Sequence, residues 1–116
     1  MYRIGSGEIM TEKPKKYSIQ PITVNGHGIN SVLIGCHYQI KHGSYMNDEL
    51  ILQLVAELDG GDFPVDSTTA SIDYYVADIQ LAEADKTYRL IWLFEGKKLE
   101  ILGVINAYRK TKRKKP

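Results

Sequence analysis

The densest group of side chains able to do acid–base chemistry is the segment His37-Tyr38-Gln39-Ile40-Lys41-His42. Two imidazoles and one ammonium group suit phosphodiester cleavage. One histidine takes the proton of a 2′-hydroxyl, the other protonates the leaving oxygen, and Lys41 stabilises the pentavalent charge. If the segment is a continuous strand, His37 and His42 face opposite sides, so they share a site only if the chain bends near Lys41. The alternative is that one histidine is packed or caps an element while the other is exposed.

A second candidate group lies in the last two predicted strands. Arg89 is in an apolar strand and could clamp a phosphate with its planar guanidinium group, while Tyr108 and Arg109 end the final strand. The alternatives are that Arg89 pairs with an acid such as Asp73 and that Tyr108 only packs at the strand end. The candidate catalytic residues are therefore His37, Lys41, His42, Arg89 and Tyr108.

A zinc site at Cys36, His37 and His42 is a rival use of these side chains. Neighbouring residues of a strand point to opposite faces, and no CxxC or HxxxH spacing occurs elsewhere in the chain. We therefore expect no metal, and we expect Cys36 to be a buried small hydrophobe. No P-loop, GxGxxG or GxSxG motif is present, so the sequence predicts no cofactor.

The formal net charge of +1 combines two regions of opposite sign. Ten acidic residues and no Lys or Arg lie between Asp48 and Asp85, whereas six basic residues and no acid lie between Arg109 and Lys115. Removing those six charges from +1 leaves −5 for residues 1–108. The basic tail is either solvated, or contacts RNA or DNA phosphates, or docks on the acidic body of the same or another copy. The candidate nucleic-acid-binding residues are Arg109, Lys110, Lys112 and Arg113.

The chain of 116 residues has the length of one domain. We assign residues 17–109 to that domain, with a basic tail at 110–116. We assign residues 1–16 to a flexible leader, part of which is consistent with an origin in an expression vector. A single Cys excludes an internal disulfide, and no apolar run reaches the roughly 18–20 residues that span a membrane. With no recognisable signal peptide, these features predict a soluble, cytoplasmic protein.

Hydrophobic periodicity predicts five strands and one helix, with residues 62–69 as a loop. Pro21 marks the first strand as an edge strand, and Asn25-Gly26 marks a turn after it. The helix is expected to begin at the N-cap Asn47 and to bury one apolar face. The expected strands are residues 17–24, 29–40, 71–81, 86–94 and 99–108. The expected fold class is α+β: an antiparallel twisted sheet of about five strands packed on one main helix.

The segment Lys86-Thr87-Tyr88-Arg89-Leu90-Ile91-Trp92, followed by Leu99–Arg109, resembles the C-terminal hairpin of the RelE/ParE-like toxins. Lys41-His42-Gly43 before a helix is similar to the start of BrnT-type toxins, which share the broader fold. The resemblance implies a RelE-like sheet, metal-independent RNA cleavage of the mRNA interferase type, and a small antitoxin protein as partner. It assigns acid–base or phosphate-binding roles to Lys41, His42, Arg89, Tyr108 and Arg109.

Two functions from different classes follow as expectations. The first is a toxin-like, metal-independent endoribonuclease of a toxin–antitoxin system. The alternative is a small non-catalytic domain that binds a protein or a nucleic acid through a sheet edge or the basic tail. A homodimer in which the tail pairs with the acidic body is the third hypothesis.

Overall fold

Six strands and one short helix make up the part of the chain that the computed structural model describes. The structure describes residues 14–35, 43, 45–81 and 86–110. The elements are, in chain order, β1 (Lys15–Val24), β2 (His27–Ile34), α1 (Asp48–Ala56), β3 (Ser67–Thr69), β4 (Ile72–Leu81), β5 (Lys86–Glu95) and β6 (Ile101–Arg109). Within these residues, no helix has the length and apolar character needed to cross a membrane.

The strands β1 and β2 form an antiparallel hairpin that closes at Asn25-Gly26. Both turn residues have positive φ, 54° at Asn25 and 79° at Gly26, as the tight hairpin turn requires. Pro21 lies in β1 at the edge of the sheet, and the pairing shifts register between Ser18 and Ile22. The missing N–H of Pro21 is tolerated because an edge strand has one side without a ladder. The predicted turn and edge strand are confirmed.

The helix α1 begins where Asn47 caps it. The Asn47 side chain accepts a hydrogen bond from the Leu50 N–H at 2.8 Å, which satisfies a backbone donor that has no partner within the helix. The predicted N-cap and apolar face are therefore confirmed, except that Leu50 is only half-buried. The buried residues of this face are Ile51, Leu54 and Val55, and Leu58, in the turn after α1, is buried as well.

The six strands form one mixed sheet in the order β1-β2-β6-β5-β4-β3. The strands from β3 to β6 are antiparallel to one another and form a meander that starts at one edge of the sheet. Strand β6 then joins β2 in parallel, with Val32 beside Leu102 and Ile34 beside Val104. The chain between β2 and β3 crosses to the far edge of the sheet, and this crossover makes the parallel pair possible.

The expected fold class is wrong in three respects. The sheet has six strands rather than five, because Ser67–Thr69 in the predicted loop pairs with residues 72–74. The sheet is mixed rather than antiparallel, because β2 and β6 run parallel. Most of the described chain is strand and α1 has only nine residues, so the sheet dominates rather than the helix. Alternating patterns locate strands without identifying their neighbours, and three residues are too few to show alternation.

The described residues cover one face of the sheet and do not cover the other, which we call the outer face. On the covered face Leu90, Trp92 and Leu102 are fully buried, in one cluster with the apolar side of α1. Phe63, from the segment after α1, packs edge-on against Trp92 with ring centroids 5.2 Å apart. On the outer face, the apolar side chains are only half-buried and stand apart from that core. They include Leu33, Val76, Ile91, Leu93 and Ile101.

Candidate functional site

Five of the predicted site residues lie outside the described residues: His37, Lys41, His42, Lys112 and Arg113. The other four are near one another at the end of β6 and the facing part of β5. Tyr108 is the cross-strand partner of Arg89, and Arg109 and Lys110 follow Tyr108 directly. The structure thus brings together the candidates from the last two predicted strands.

Arg89 is bound to Asp78, its cross-strand partner on β4. The Arg89 Nε donates to Oδ1 at 2.8 Å and Nη2 donates to Oδ2 at 3.2 Å, which is a bidentate arrangement. The hydrogen bond from Arg89 lowers the pKa of Asp78 to about 2, with partial burial opposing and Lys110 adding to the effect. The same bond, with a contribution from Tyr108, raises the pKa of Arg89. Arg89 therefore pairs with an acid, and that acid is Asp78 rather than Asp73.

Lys110 completes the cluster around Asp78. Its Nζ donates to Oδ2 at 2.9 Å, and its backbone N–H donates to the Thr87 carbonyl at 2.8 Å. Two cations thus share one carboxylate, and the Asp78 side chain is 36% exposed. Asp78 occupies the Nε–H and one N–H of Nη2, so of the five N–H donors of Arg89 only those on Nη1 and the second one on Nη2 remain for a phosphate.

Arg109 contacts Tyr45, which lies in the segment before α1. The guanidinium carbon is 4.6 Å from the centroid of the Tyr45 ring, and the Arg109 backbone N–H donates to the Tyr45 hydroxyl at 3.2 Å. These contacts join the end of β6 to the residues that precede the helix. Arg109 itself remains exposed.

An open edge of the sheet lies along β4. Its neighbour β3 pairs only with residues 72–74, so residues 75–79 have no strand partner on that side within the described chain. The Tyr74 carbonyl faces β3, since it accepts the N–H of Asp66 at 2.8 Å. Backbone groups of an antiparallel strand alternate between its two sides, so those of Val76 and Asp78 point the same way, towards no described partner. We call residues 75–79 the β4 edge.

Pro, Lys and β-bulges commonly protect strand edges, and the β4 edge has none of them. The opposite edge strand, β1, carries Pro21 and an irregular register. The β4 edge contains neither Pro nor Lys, and its pairing with β5 continues without a bulge. Its one charged side chain, Asp78, is compensated by two cations. The β4 edge is therefore suited to pair with an additional strand.

The side chains of the β4 edge form two different rows. Ala77 and Ile79 belong to the covered face, where both contact the core. Val76 and Asp78 belong to the outer face. A strand added at this edge would place alternate side chains beside Ala77 and Ile79, and the remaining ones beside Val76 and Asp78.

A shallow depression of about 350 Å³ lies on the outer face of the sheet, over β2, β5 and β6. Glu95 is the one ionisable side chain of its lining, so the depression does not combine an acid with a base. Over the described part of the chain, no group of three or more His, Cys, Asp or Glu is arranged to hold a metal ion. The lining residues are Pro14, Leu33, Gly35, Glu95, Gly103, Val104 and Ile105.

No family model matches the chain, and comparisons with curated proteins and with solved structures give no significant match. The resemblance to RelE/ParE-like and BrnT-type toxins therefore stays a prediction. RNA cleavage and an antitoxin partner, which the resemblance implies, stay predictions as well.

The β4 edge is not singled out by the sequence, although a sheet edge is one of the predicted binding surfaces. A usable signal lies in residues 67–71. Ser67-Thr68-Thr69 is a short segment with β-branched residues, and only Ala70 and Ser71 separate it from a strand of ten residues. A hairpin between a short strand and a long one leaves most of the long strand uncovered on that side.

Proposed function

We propose that this protein is a small non-catalytic domain that binds an extended segment of a partner protein by adding it as a strand to the β4 edge. The observation that carries the proposal is the mismatch between β3, with three residues, and β4, with ten. Among the described residues nothing pairs with the backbone donors and acceptors of Val76 and Asp78 on that side, and strand addition of this kind is a common mode of peptide recognition.

Backbone pairing and side-chain burial both contribute to such binding. Each backbone hydrogen bond contributes about 0.5–1.5 kcal/mol, because it replaces a bond to water. The N–H and C=O groups of Val76 and Asp78 therefore support only weak binding by themselves. Apolar side chains placed beside Ala77 and Ile79 add roughly 25 cal/mol for each Å² that they bury. The preferred ligand is thus a segment with apolar residues at alternate positions.

A ribonuclease function remains a prediction to which the described residues add no support. Its two histidines and Lys41 lie outside them. Arg89 is bound to Asp78 at 2.8 and 3.2 Å, and Tyr108 interacts with the same guanidinium group. Strand addition at the β4 edge leaves this cluster intact, whereas a phosphate on Arg89 would compete with Asp78 and Tyr108 for the same guanidinium group.

Selection of a random peptide library of about ten residues against the full chain tests the proposed function. We expect the selected peptides to bind the wild-type chain, and to bind Val76→Pro at least ten-fold more weakly, because Pro lacks the N–H that an added strand needs. Val76→Thr is the matched control, since it keeps the N–H and the branched side chain, and it should bind like the wild type.

A second arm makes the test independent of how well Val76→Pro folds. The selected peptides are resynthesised as two sets, with N-methyl groups on the odd-numbered amides in one set and on the even-numbered amides in the other. An added strand directs every second N–H towards the β4 edge, so only the set that is methylated at those positions should lose its affinity. The proposal is wrong if no peptide is selected, or if both methylated sets and Val76→Pro bind as tightly as their controls.

A further inference from the structure

The outer face of the sheet is apolar along its middle. Val76 lies beside Ile91, and Leu93 lies on the same face two residues further along β5. Gly103 has Leu33 on one side and Leu93 on the other, so the apolar surface continues across β6 to β2. These four side chains are half-buried, and none of them belongs to the core cluster on the covered face. A continuous apolar surface of this kind is typical of an interaction site.

The two ends of this face carry opposite charges. At one end Asp78 pairs with Arg89 and Lys110, which leaves one positive charge in excess, and we call these three residues the positive cluster. At the other end Glu95 is exposed and forms no ion pair with a described residue. The Glu95 carboxylate lies over Gly103, where a Cβ atom would be 2.7 Å from Oε2. Arg89 and Glu95 are six residues apart on β5, which corresponds to about 20 Å.

We infer that the outer face packs against the outer face of a second copy of this chain, turned end for end. A two-fold axis that lies between the two sheets and crosses β5 at the level of Trp92 reverses the strand direction of the second copy. This axis brings each Glu95 over the positive cluster of the other copy, and each Ile91 over Leu93 of the other copy. The apolar middle is then covered and the charges are complementary at both ends. The inference does not depend on strand addition, which uses the backbone of the β4 edge.

The outer face has the area that a stable dimer needs. Six strands about 4.8 Å apart, most of them with about eight residues of roughly 3.3 Å each, make a face of roughly 600–700 Å². Specific interfaces bury about 600–1,000 Å² on each partner. Two such sheets pack about 10 Å apart and cross at about 30°. Lys16, which lies on this face beside Leu33, is exposed at the β1 edge, where solvent screens its charge.

Sedimentation equilibrium of the full chain, from about 1 to about 200 µM, tests the inference with a charge exchange. We expect the wild type to be a dimer. Glu95→Lys brings like charges together at both ends of the interface and should raise the dimer Kd at least about ten-fold. Lys110→Glu reverses the net charge of the positive cluster and should have a similar effect. The double variant restores opposite charges, so its Kd should return to within about three-fold of the wild type.

Two further variants complete the experiment. Glu57→Lys makes the same change of charge at the exposed C-cap of α1, on the covered side of the sheet, and as the matched control it should leave the Kd unchanged. Leu93→Glu places a carboxylate of each copy in the apolar middle and should abolish the dimer. Circular dichroism checks that each variant keeps its sheet, and the charge exchange decides the question if Leu93→Glu does not fold.

The outcomes distinguish this dimer from other uses of the surface. A wild type that stays monomeric at about 200 µM overturns the inference and leaves the outer face to another protein or to a segment of this chain. A dimer that Glu95→Lys does not weaken forms through another surface, such as the β4 edge, and also overturns it. If both single variants weaken the dimer and the double variant does not restore it, the end-for-end arrangement is wrong.

Discussion

The guanidinium group of Arg89 and the carboxylate of Asp78 face each other across β5 and β4, at distances of 2.8 and 3.2 Å. Lys110 donates to the same carboxylate, so the pair also secures the chain just after β6. An arginine whose residue type and position suggest phosphate chemistry thus stabilises the sheet beside its open edge. The pair also neutralises the one charge along the β4 edge, which lowers the electrostatic cost of adding a strand there.

Asp78→Asn is expected to destabilise the fold by about 1 kcal/mol at pH 7. The pKa of Asp78 is lowered from 3.8 to about 2, but the side chain is more than a third exposed, so solvent screening keeps the contribution small. Chemical denaturation measures the effect. Asp73→Asn is the control and should cost less, because among the described residues the Asp73 carboxylate accepts a hydrogen bond only from the Thr68 hydroxyl, at 2.7 Å.

The same pair predicts how stability depends on pH. Because the pKa of Asp78 is lower in the folded chain, its contribution is present above pH 3.8 and is lost as the pH falls through about 2. Denaturation of the wild type and of Asp78→Asn between pH 5 and pH 2 should therefore give curves that converge at low pH. Parallel curves across this range would show that Arg89 does not hold Asp78 in its charged form.

Gly61→Ala is expected to destabilise the fold by about 1–3 kcal/mol. A methyl group on Gly61 would lie 2.7 Å from Cζ of Phe63, whose ring packs against Trp92 and cannot move away freely. Gly28→Ala is the matched control, because a methyl group at Gly28 meets nothing within 4 Å. Thermal denaturation should place Gly28→Ala within about 0.5 kcal/mol of the wild type. Similar losses for both variants would contradict the packing described for Phe63.

Asn25→Ala is expected to cost about 2–4 kcal/mol, and Asn25→Gly less. The Asn25 side chain donates to the Phe63 carbonyl at 2.9 Å and accepts the Phe63 N–H at 2.7 Å, and both substitutions remove these bonds. Only Ala adds the strain of a φ of 54°, which is worth about 1–2 kcal/mol. Urea denaturation of the three proteins measures the two contributions separately. An Asn25→Gly variant less stable than Asn25→Ala would refute the role of the turn conformation.

Proline substitution should distinguish the two sides of β4. Val76→Pro removes an N–H that points to the open edge, so we expect a loss of about 1 kcal/mol. Ala77→Pro removes an N–H directed to β5, and it should cost about 3 kcal/mol or more. Circular dichroism during thermal denaturation compares the variants. Equal losses would mean that the Val76 N–H has a partner in the folded chain.

The sequence predicts the local features of the fold better than its long-range pairings. The turn at Asn25-Gly26, the cap at Asn47 and the apolar face of the helix follow from residue types and spacing over a few positions. The parallel pairing of β2 with β6 does not, because alternation shows which side chains share a face and not which strand lies next to it. The short β3 is missed for a different reason, because three residues are too few to show alternation.

The sequence indicates that Arg89 faces the preceding strand, but it does not fix which acid is its partner. Residues 71–81 and 86–94 are predicted strands joined by a short connection, which indicates a hairpin. Leu81 pairs with Lys86, and counting three residues along each strand from that pair brings Asp78 opposite Arg89. The sequence does not define the ends of the two strands precisely enough to fix this register. A shift of one strand along the other changes which acid faces Arg89. Asp73 is instead opposite Thr68.

Amide hydrogen exchange along β4 tests the central claim most directly. In the free protein, the amides of Val76 and Asp78 should exchange roughly 100-fold faster than those of Ala77 and Ile79, which are directed to β5. A peptide selected against the full chain should slow the exchange of Val76 and Asp78 at least ten-fold and leave Ala77 and Ile79 unchanged. If all four amides are equally protected in the free protein, or if the bound peptide protects none of them, the β4 edge is not the binding site.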